Sequence, residues 1–241
     1  MTLLRAVIQA RMGSSRLPGK VLRALPGGRP VLEWVVRAAQ AAACCDEIVV
    51  ATTTDAADDA IEDWCGREDV PCVRGPVEDV LSRFVLVQTT RGVMDVIRLT
   101  ADCPLHDPVV IRTAACALTA SGVDYVTTDI TTVPRGFDVE GVTASALARL
   151  DAEAVGYHRV HVLSAAAEVS SFRTLTLVYS PPAGDLRFTL DTPHDALLID
   201  AVVRELGDRP PSLGDAVALL RSRPDLVAIN ASTRQKRIDE G

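Results

Sequence analysis

The stretch VIQARMGSSRLPGKVL, residues 7–22, leaves an apolar run and enters a loop holding two glycines, two serines, a proline and three cations. The run at residues 4–9 is largely apolar without regular alternation, the pattern of a strand covered on both faces and so of a parallel sheet. A loop that follows the first strand of such a sheet lies at its carboxyl end, where open α/β folds place ligands. Gly13-Ser14-Ser15 can turn backbone N–H groups toward an anion, Arg11, Arg16 and Lys20 add positive charge, and Pro18 stiffens the return. The loop matches neither well-known phosphate motif. It contains no G-x-G-x-x-G, Gly13 and Gly19 are separated by five residues rather than four, and Val21 follows Lys20 where a metal-binding hydroxyl is required. A solvated basic turn is the bland reading. Three cations packed among Gly, Ser and Pro behind a buried strand repel one another unless an anion neutralises them, so an anion-gripping loop is expected. On that reading Arg16 and Lys20 matter for turnover more than for stability.

Outward from the loop, short apolar runs at residues 4–9, 47–52, 72–73, 96–99 and 124–127 alternate with helical stretches at 30–43, 55–65, 77–89 and 108–119. This alternation predicts βαβ units and a largely parallel sheet. Glu78 and Asp79 give the third helix an acidic first turn that suits its dipole. Between 131 and 180 the rhythm changes to a turn-rich VPRGFDVEGV, two Ala-rich helical stretches and a strand-like TLTLVY. An interruption of this kind is expected to cover an active site or build a dimer contact. The rhythm returns with a strand at 186–190 and helices near 195–206 and 213–221. Residues 231–241, ASTRQKRIDEG, read as a polar, frayed tail. One α/β domain over residues 1–241 is expected, with a mostly parallel Rossmann-like sheet.

The chain has 241 residues, 48% hydrophobic and 24% charged, with a net charge of −7. That acidity argues against nucleic acid and anionic membranes as partners, because counterion-release affinity needs a basic face. No stretch reaches the length of a membrane span, and Arg5 and Arg11 interrupt the start too early for a secretory core, so a cytoplasmic protein is expected. Six cysteines form no C-x-x-C pair and read as reduced core residues. His158 and His161 sit at i and i+3, but no third ligand follows at a recognised metal spacing.

Two carboxylates stand just past apolar runs: Asp102 in RLTADCPL and Asp191 in LDTP. Both are expected at the sheet's carboxyl end, facing the loop. Two hard oxygen donors there suit a Mg²⁺ ion that bridges triphosphate oxygens, with water and phosphate completing its shell. Asp191 before Thr-Pro reads equally well as a helix N-cap.

These pieces together resemble the cytidylyltransferase family that includes the acylneuraminate and 3-deoxy-manno-octulosonate cytidylyltransferases, and most of all its spore coat polysaccharide branch. The resemblance rests on AVIQARMGSSRLPGKVL (6–22), RGPVEDVLSRF (74–84), RLTADCPLHDP (98–108), PRGFDVE (134–140) and RFTLDTPHD (187–195). It implies a nucleotidyltransferase fold of the GT-A type and a Mg²⁺-dependent transfer of CMP from CTP to a small acidic or phosphorylated acceptor, with pyrophosphate released. It also implies that the nucleotide lies on Ala10, Arg11, Gly13, Ser14, Ser15, Arg16, Lys20 and Asp102, with its base and ribose near Arg74, Asp79 and Arg98. Arg11, Arg16, Lys20 and Asp102 are the implied catalytic residues, and Asp102 and Asp191 the implied metal ligands. A homodimer is implied as well.

The branch usually carries R-E-H-V-T-P where this chain has Arg159-Val160-His161-Val162-Leu163-Ser164. It also extends G-F-D-V-E with an apolar pair where this chain has Gly141. Arg135, Asp138, Glu140, Arg159 and His161 are therefore the acceptor-side candidates, and they equally fit an ion-paired lid or dimer seam. A nucleotide-sugar glycosyltransferase shares half of this architecture but generally holds its metal with Asp-x-Asp, which the chain lacks. A catalytically silent nucleotide-binding subunit is the remaining alternative.

Overall fold

The computed structural model describes residues 3–233. Residues 234–241, most of the expected tail, lie outside the described residues. Seven strands form one sheet in the order β3-β2-β1-β4-β6-β5-β7: β1 (Leu4–Gln9), β2 (Glu47–Thr53), β3 (Cys72–Gly75), β4 (Asp95–Thr100), β5 (Tyr125–Thr128), β6 (Glu140–Val142) and β7 (Thr174–Leu177). The pairs β1–β2, β2–β3, β1–β4 and β5–β7 are parallel, whereas β6 runs antiparallel between β4 and β5. The β1 register sets Gln9 beside both Ala51 and Thr100, so the ends of the three central strands open onto the same rim.

The helices are α1 (Val31–Ala42), α2 (Asp59–Arg67), α3 (Val80–Arg91), α4 (Pro108–Ser121), α5 (Ala144–Glu153), α6 (Tyr157–Val160), α7 (Ser164–Glu168), α8 (Pro193–Leu206), α9 (Leu213–Ser222) and α10 (Pro224–Asn230). Strand alternation divides the core. Ala6 and Ile8 pack with α1, α2 and α4 on one face. Val7, Val49, Ala51 and Val96 pack with α3, α5 and α7 on the other. A third cluster joins α8–α10 to Trp34, Phe137 and Phe188, whose two phenyl rings meet edge to face at 5.3 Å.

Three expectations change. Residues 186–190 are not a strand of the sheet: their extended backbone makes one bridge, Arg187 to Arg135, and buries Leu186, Phe188 and Leu190 in the third cluster. Their alternation is real, but it serves packing rather than pairing. The turn-rich part of residues 131–180 contains β6, and the segment as a whole supplies two strands of the central sheet. Of the six cysteines, all free thiols, only Cys65 and Cys103 are buried, and Cys116 is exposed.

Candidate active site

The loop after β1 is tied down at both ends. Gly19 N–H donates to the Met12 carbonyl at 3.0 Å, and Gly19 takes φ 71°, which lets the chain reverse into Lys20. Met12 N–H donates to Asp58 Oδ1 at 2.6 Å, and Asp58, buried in the short turn between β2 and α2, also receives the N–H and hydroxyl of Thr53 at the end of β2. The loop thus borrows its shape from the neighbouring strand, while a Cβ at Gly13 would meet nothing within 4 Å.

Above this loop lies a cleft of about 400 Å³. It brings together Ala10, Arg11, Gly13, Ser14, Ser15, Arg16 and Lys20 of the loop with Arg98, Asp102, His161 and Asp191. Arg74, Asp79, Arg135, Asp138, Glu140 and Arg159 are not among its lining residues. Arg74 turns toward α2, pairing with Asp59 and Glu62 at 2.7 Å each and donating to the carbonyls of Thr53 and Asp55. Asp79 caps α3 by accepting from Ser82 N–H, and it also pairs with Arg159 at 2.6 Å. Arg159 reaches Asp151 and the Ser82 hydroxyl as well. Asp138 accepts from Gly136 N–H, and Arg135 engages residues 186–188 through its backbone. Glu140 stands behind the cleft wall, bonded to Arg98 and to the Tyr125 hydroxyl.

At the cleft floor Lys20 Nζ lies 2.8 Å from Asp102 and 2.7 Å from Asp191. Two carboxylates far apart in sequence therefore converge on one cation. Burial pulls the Lys20 ammonium down, but the two carboxylates outweigh it and leave its pKa raised. Burial likewise pushes the Asp102 carboxyl up, and the ammonium more than reverses this, holding it below the usual carboxylate range. Asp191 is also held by Arg187 at 2.7 Å and Arg16 at 3.3 Å. It does not cap α8. Thr192 does, in a capping box with Asp195, which leaves Asp191 to its cations. Asp195, fully buried, binds Arg187 at 3.0 Å and receives the Asn230 amide of α10 at 2.9 Å. An alternating file thus runs from the last helix to the loop through Asn230, Asp195, Arg187, Asp191, Lys20 and Asp102.

The second polar group of the cleft is built on Arg98. Its Nη2 donates to Gln9 Oε1 at 3.1 Å, and its Nη1 to Glu140. Burial and then Glu140 push the Tyr125 phenol far above its ordinary value, so it stays protonated and donates. Sequence reading passed over Gln9, Thr100, Arg83, His106 and Arg187. The last three stand inside RGPVEDVLSRF, RLTADCPLHDP and RFTLDTPHD, and an ionisable side chain next to apolar ones was the available signal.

A family model for cytidylyltransferases matches residues 5–182. The chain belongs to the cytidylyltransferase family. The chain is 35% identical over 229 residues to the spore coat polysaccharide biosynthesis protein SpsF of Bacillus subtilis (strain 168), covering 91% of this chain and 94% of that one. A cytidylyltransferase from Leptospira borgpetersenii superposes with a TM-score of 0.85 at 24% identity, over 98% of this chain and 100% of the other. The CMP:2-keto-3-deoxy-manno-octonic acid synthetase complexed with CTP superposes with a TM-score of 0.63 at 17% identity, over 85% and 99%. Both structures share the Rossmann-like nucleotidyltransferase fold. Asp191, Asp195 and Asn230 lie beyond the matched residues 5–182. Among the described residues no helix is long and apolar enough to cross a membrane.

Proposed function

We propose that the protein transfers CMP from CTP to a small acidic or phosphorylated acceptor, such as a sugar acid, a polyol phosphate or a phosphonate, and releases pyrophosphate. The observation that carries this reading is the convergence of Asp102 and Asp191 on a single cation beneath an anion-gripping loop. CTP enters on family membership and on the CTP named for the synthetase with the same fold.

In this reading Arg11, Arg16 and the loop N–H groups hold the triphosphate. An acceptor oxygen attacks the α-phosphorus in line, the bond to the β-phosphate oxygen breaks, and pyrophosphate leaves with the electron pair. Arg16 and Lys20 then offset the charge growing on the leaving group. Asp102 and Asp191 fit Mg²⁺: they are hard oxygen donors already arranged about one positive charge, and Mg²⁺ commonly takes only one or two carboxylates. When bound, the ion would neutralise phosphate charge. Gln9, Arg98 and His161 border the remaining space, with Glu140 behind Arg98; His161, Glu140, Arg135, Asp138 and Arg159 are the acceptor-side candidates. Exposed Val155, Tyr157, Val160, Val169 and Val178, with β7 at the sheet edge, support a homodimer seam in residues 131–180.

The test is Asp102→Asn, which keeps the side chain's size and removes its charge. Pyrophosphate release from CTP and Mg²⁺ with a pool of candidate acceptors should fall at least about a hundredfold while the fold persists. Turnover near that of the wild type would sink the assignment.

A further inference from the structure

Arg83 leaves the first turn of α3 fully buried, and among the described residues none of its three guanidinium nitrogens has a hydrogen-bond partner. Arg98, by contrast, leaves only Nε unpaired. The position is built for the stem: a Cβ at Gly75 would lie 2.8 Å from Arg83 Cγ. Four charges surround it without satisfying it. Arg11 and Arg98 repel it, while Asp58 is spent on Met12 and Thr53 and Asp79 on Ser82 and Arg159. Burial first, and then Arg11, push its pKa down to about 10, so the group remains charged. A buried, unpaired cation is among the costliest arrangements a chain can keep.

Its place in the sheet indicates what it serves. Strand alternation puts Gln9, Thr53, Gly75 and Arg98 on the face that α3 covers, at the carboxyl ends of β1, β2, β3 and β4. With a triphosphate on the loop between β1 and β4, a nucleoside turned toward β2 and β3 meets α3. On that side Arg74 is committed to α2 and Asp79 to its cap, which leaves Arg83 as the donor without an acceptor.

We propose that Arg83 is the specificity-determining donor for the nucleobase, its guanidinium fork bonding O2 and N3 of a cytosine. The proposal rests on the CTP reading above. Cytosine presents two adjacent acceptors at O2 and N3, matching a guanidinium fork. Uracil carries an N3–H there, so one donor would face another. α6 packs on the first turn of α3, fastened by Arg159 to Asp79, Ser82 and Asp151, and runs into Val162 in the left-handed region at φ 35°. The base reaches Arg83 as that fastening loosens.

Calorimetric titration of the full chain with CTP and with UTP, each with Mg²⁺, tests this without knowledge of the acceptor. The wild type should bind CTP at least about tenfold more tightly than UTP, and Arg83→Met should lose that preference while changing UTP affinity by less than about threefold. Its melting temperature without nucleotide should hold or rise, since an uncompensated cation has been removed; a merely structural arginine would lower it. Arg83→Lys keeps the charge and loses the fork, so it should lose the preference as well and carries the test if the Met variant does not fold. A wild type with no preference, or variants that retain it, overturns the role of Arg83 alone. A wild type that binds neither nucleotide overturns the CTP reading and this proposal together.

Discussion

Replacing Lys20 with Met tests whether the cleft floor is a cation site. The ammonium is 2.8 Å from Asp102 and 2.7 Å from Asp191, and the Lys20 side chain is only 10% exposed. Removing one partner of a buried ion pair costs about 3–5 kcal/mol. Asp191 keeps Arg187 and Arg16, and the Asp102 side chain is 32% exposed, so solvent screening reduces the cost to about 2 kcal/mol. For a chain of this size that corresponds to a fall of roughly 4–8 °C in melting temperature. The pH dependence follows from Asp102, whose lowered pKa contributes stability above its unfolded value and loses it as pH falls through the folded one. The deficit of the variant should therefore be largest near neutrality and shrink below about pH 4. With the ammonium gone, Mg²⁺ should raise the melting point of the variant well beyond any effect on the wild type, and turnover of CTP should be lost. Thermal melts across pH, with and without Mg²⁺, read all of this. A variant that melts like the wild type and ignores Mg²⁺ would refute the reading. Lys20 is expected to matter for turnover more than for stability, and its pairing with two carboxylates adds a stability cost to its removal.

Two further outcomes follow from buried groups. His106 is fully buried, among the described residues neither of its ring nitrogens is hydrogen-bonded, and burial pushes its pKa down to about 4 despite Asp138 and Asp102 nearby. It stays neutral where the unfolded chain takes up a proton, so stability should fall as pH drops from about 6.5 to about 4, by up to about 3 kcal/mol. His106→Leu should flatten the urea midpoint over that window, and an unchanged slope would count against it. Gly136 has φ 101°, and a Cβ there would lie 2.7 Å from the Phe188 carbonyl carbon. Gly136→Ala should cost about 3 kcal/mol or more, and a melting curve like that of the wild type would contradict this contact.

How far sequence reached depended on what kind of information each feature needed. The β1 boundaries, Leu4–Gln9, agree with the sequence reading because a strand buried on both faces declares itself through its apolar run. Residues 186–190 carried a strand-like alternation without becoming a strand, since alternation reports which side chains are buried and not whether a neighbour is free to pair. β6 was hidden by its three residues and by Gly141, where a Cβ would come within 3.0 Å of Ile97 Cδ1. α10, seven residues long and opened by Pro224, gave too short a period to register. Within the cleft, the loop and Asp102 were legible because they are contiguous with strand ends. The pairing of Lys20 with Asp191 spans 171 positions, and no local pattern encodes it.

The file of charges ending at Asn230 makes the second carboxylate the property of the C-terminal helices. Asp191 keeps its orientation through Arg187, Arg187 through Asp195, and Asp195 in part through an amide on α10. Positions 187, 191 and 195 should therefore drift together or not at all, because a change at one leaves a buried charge uncompensated until another answers it, whereas a change at 230 removes one hydrogen bond from an Asp195 that Arg187 still pairs. A fragment that stops at residue 182 would carry the loop and Asp102 yet lack Asp191, so any transplant of this cleft onto another scaffold has to bring α8 and α10 with it.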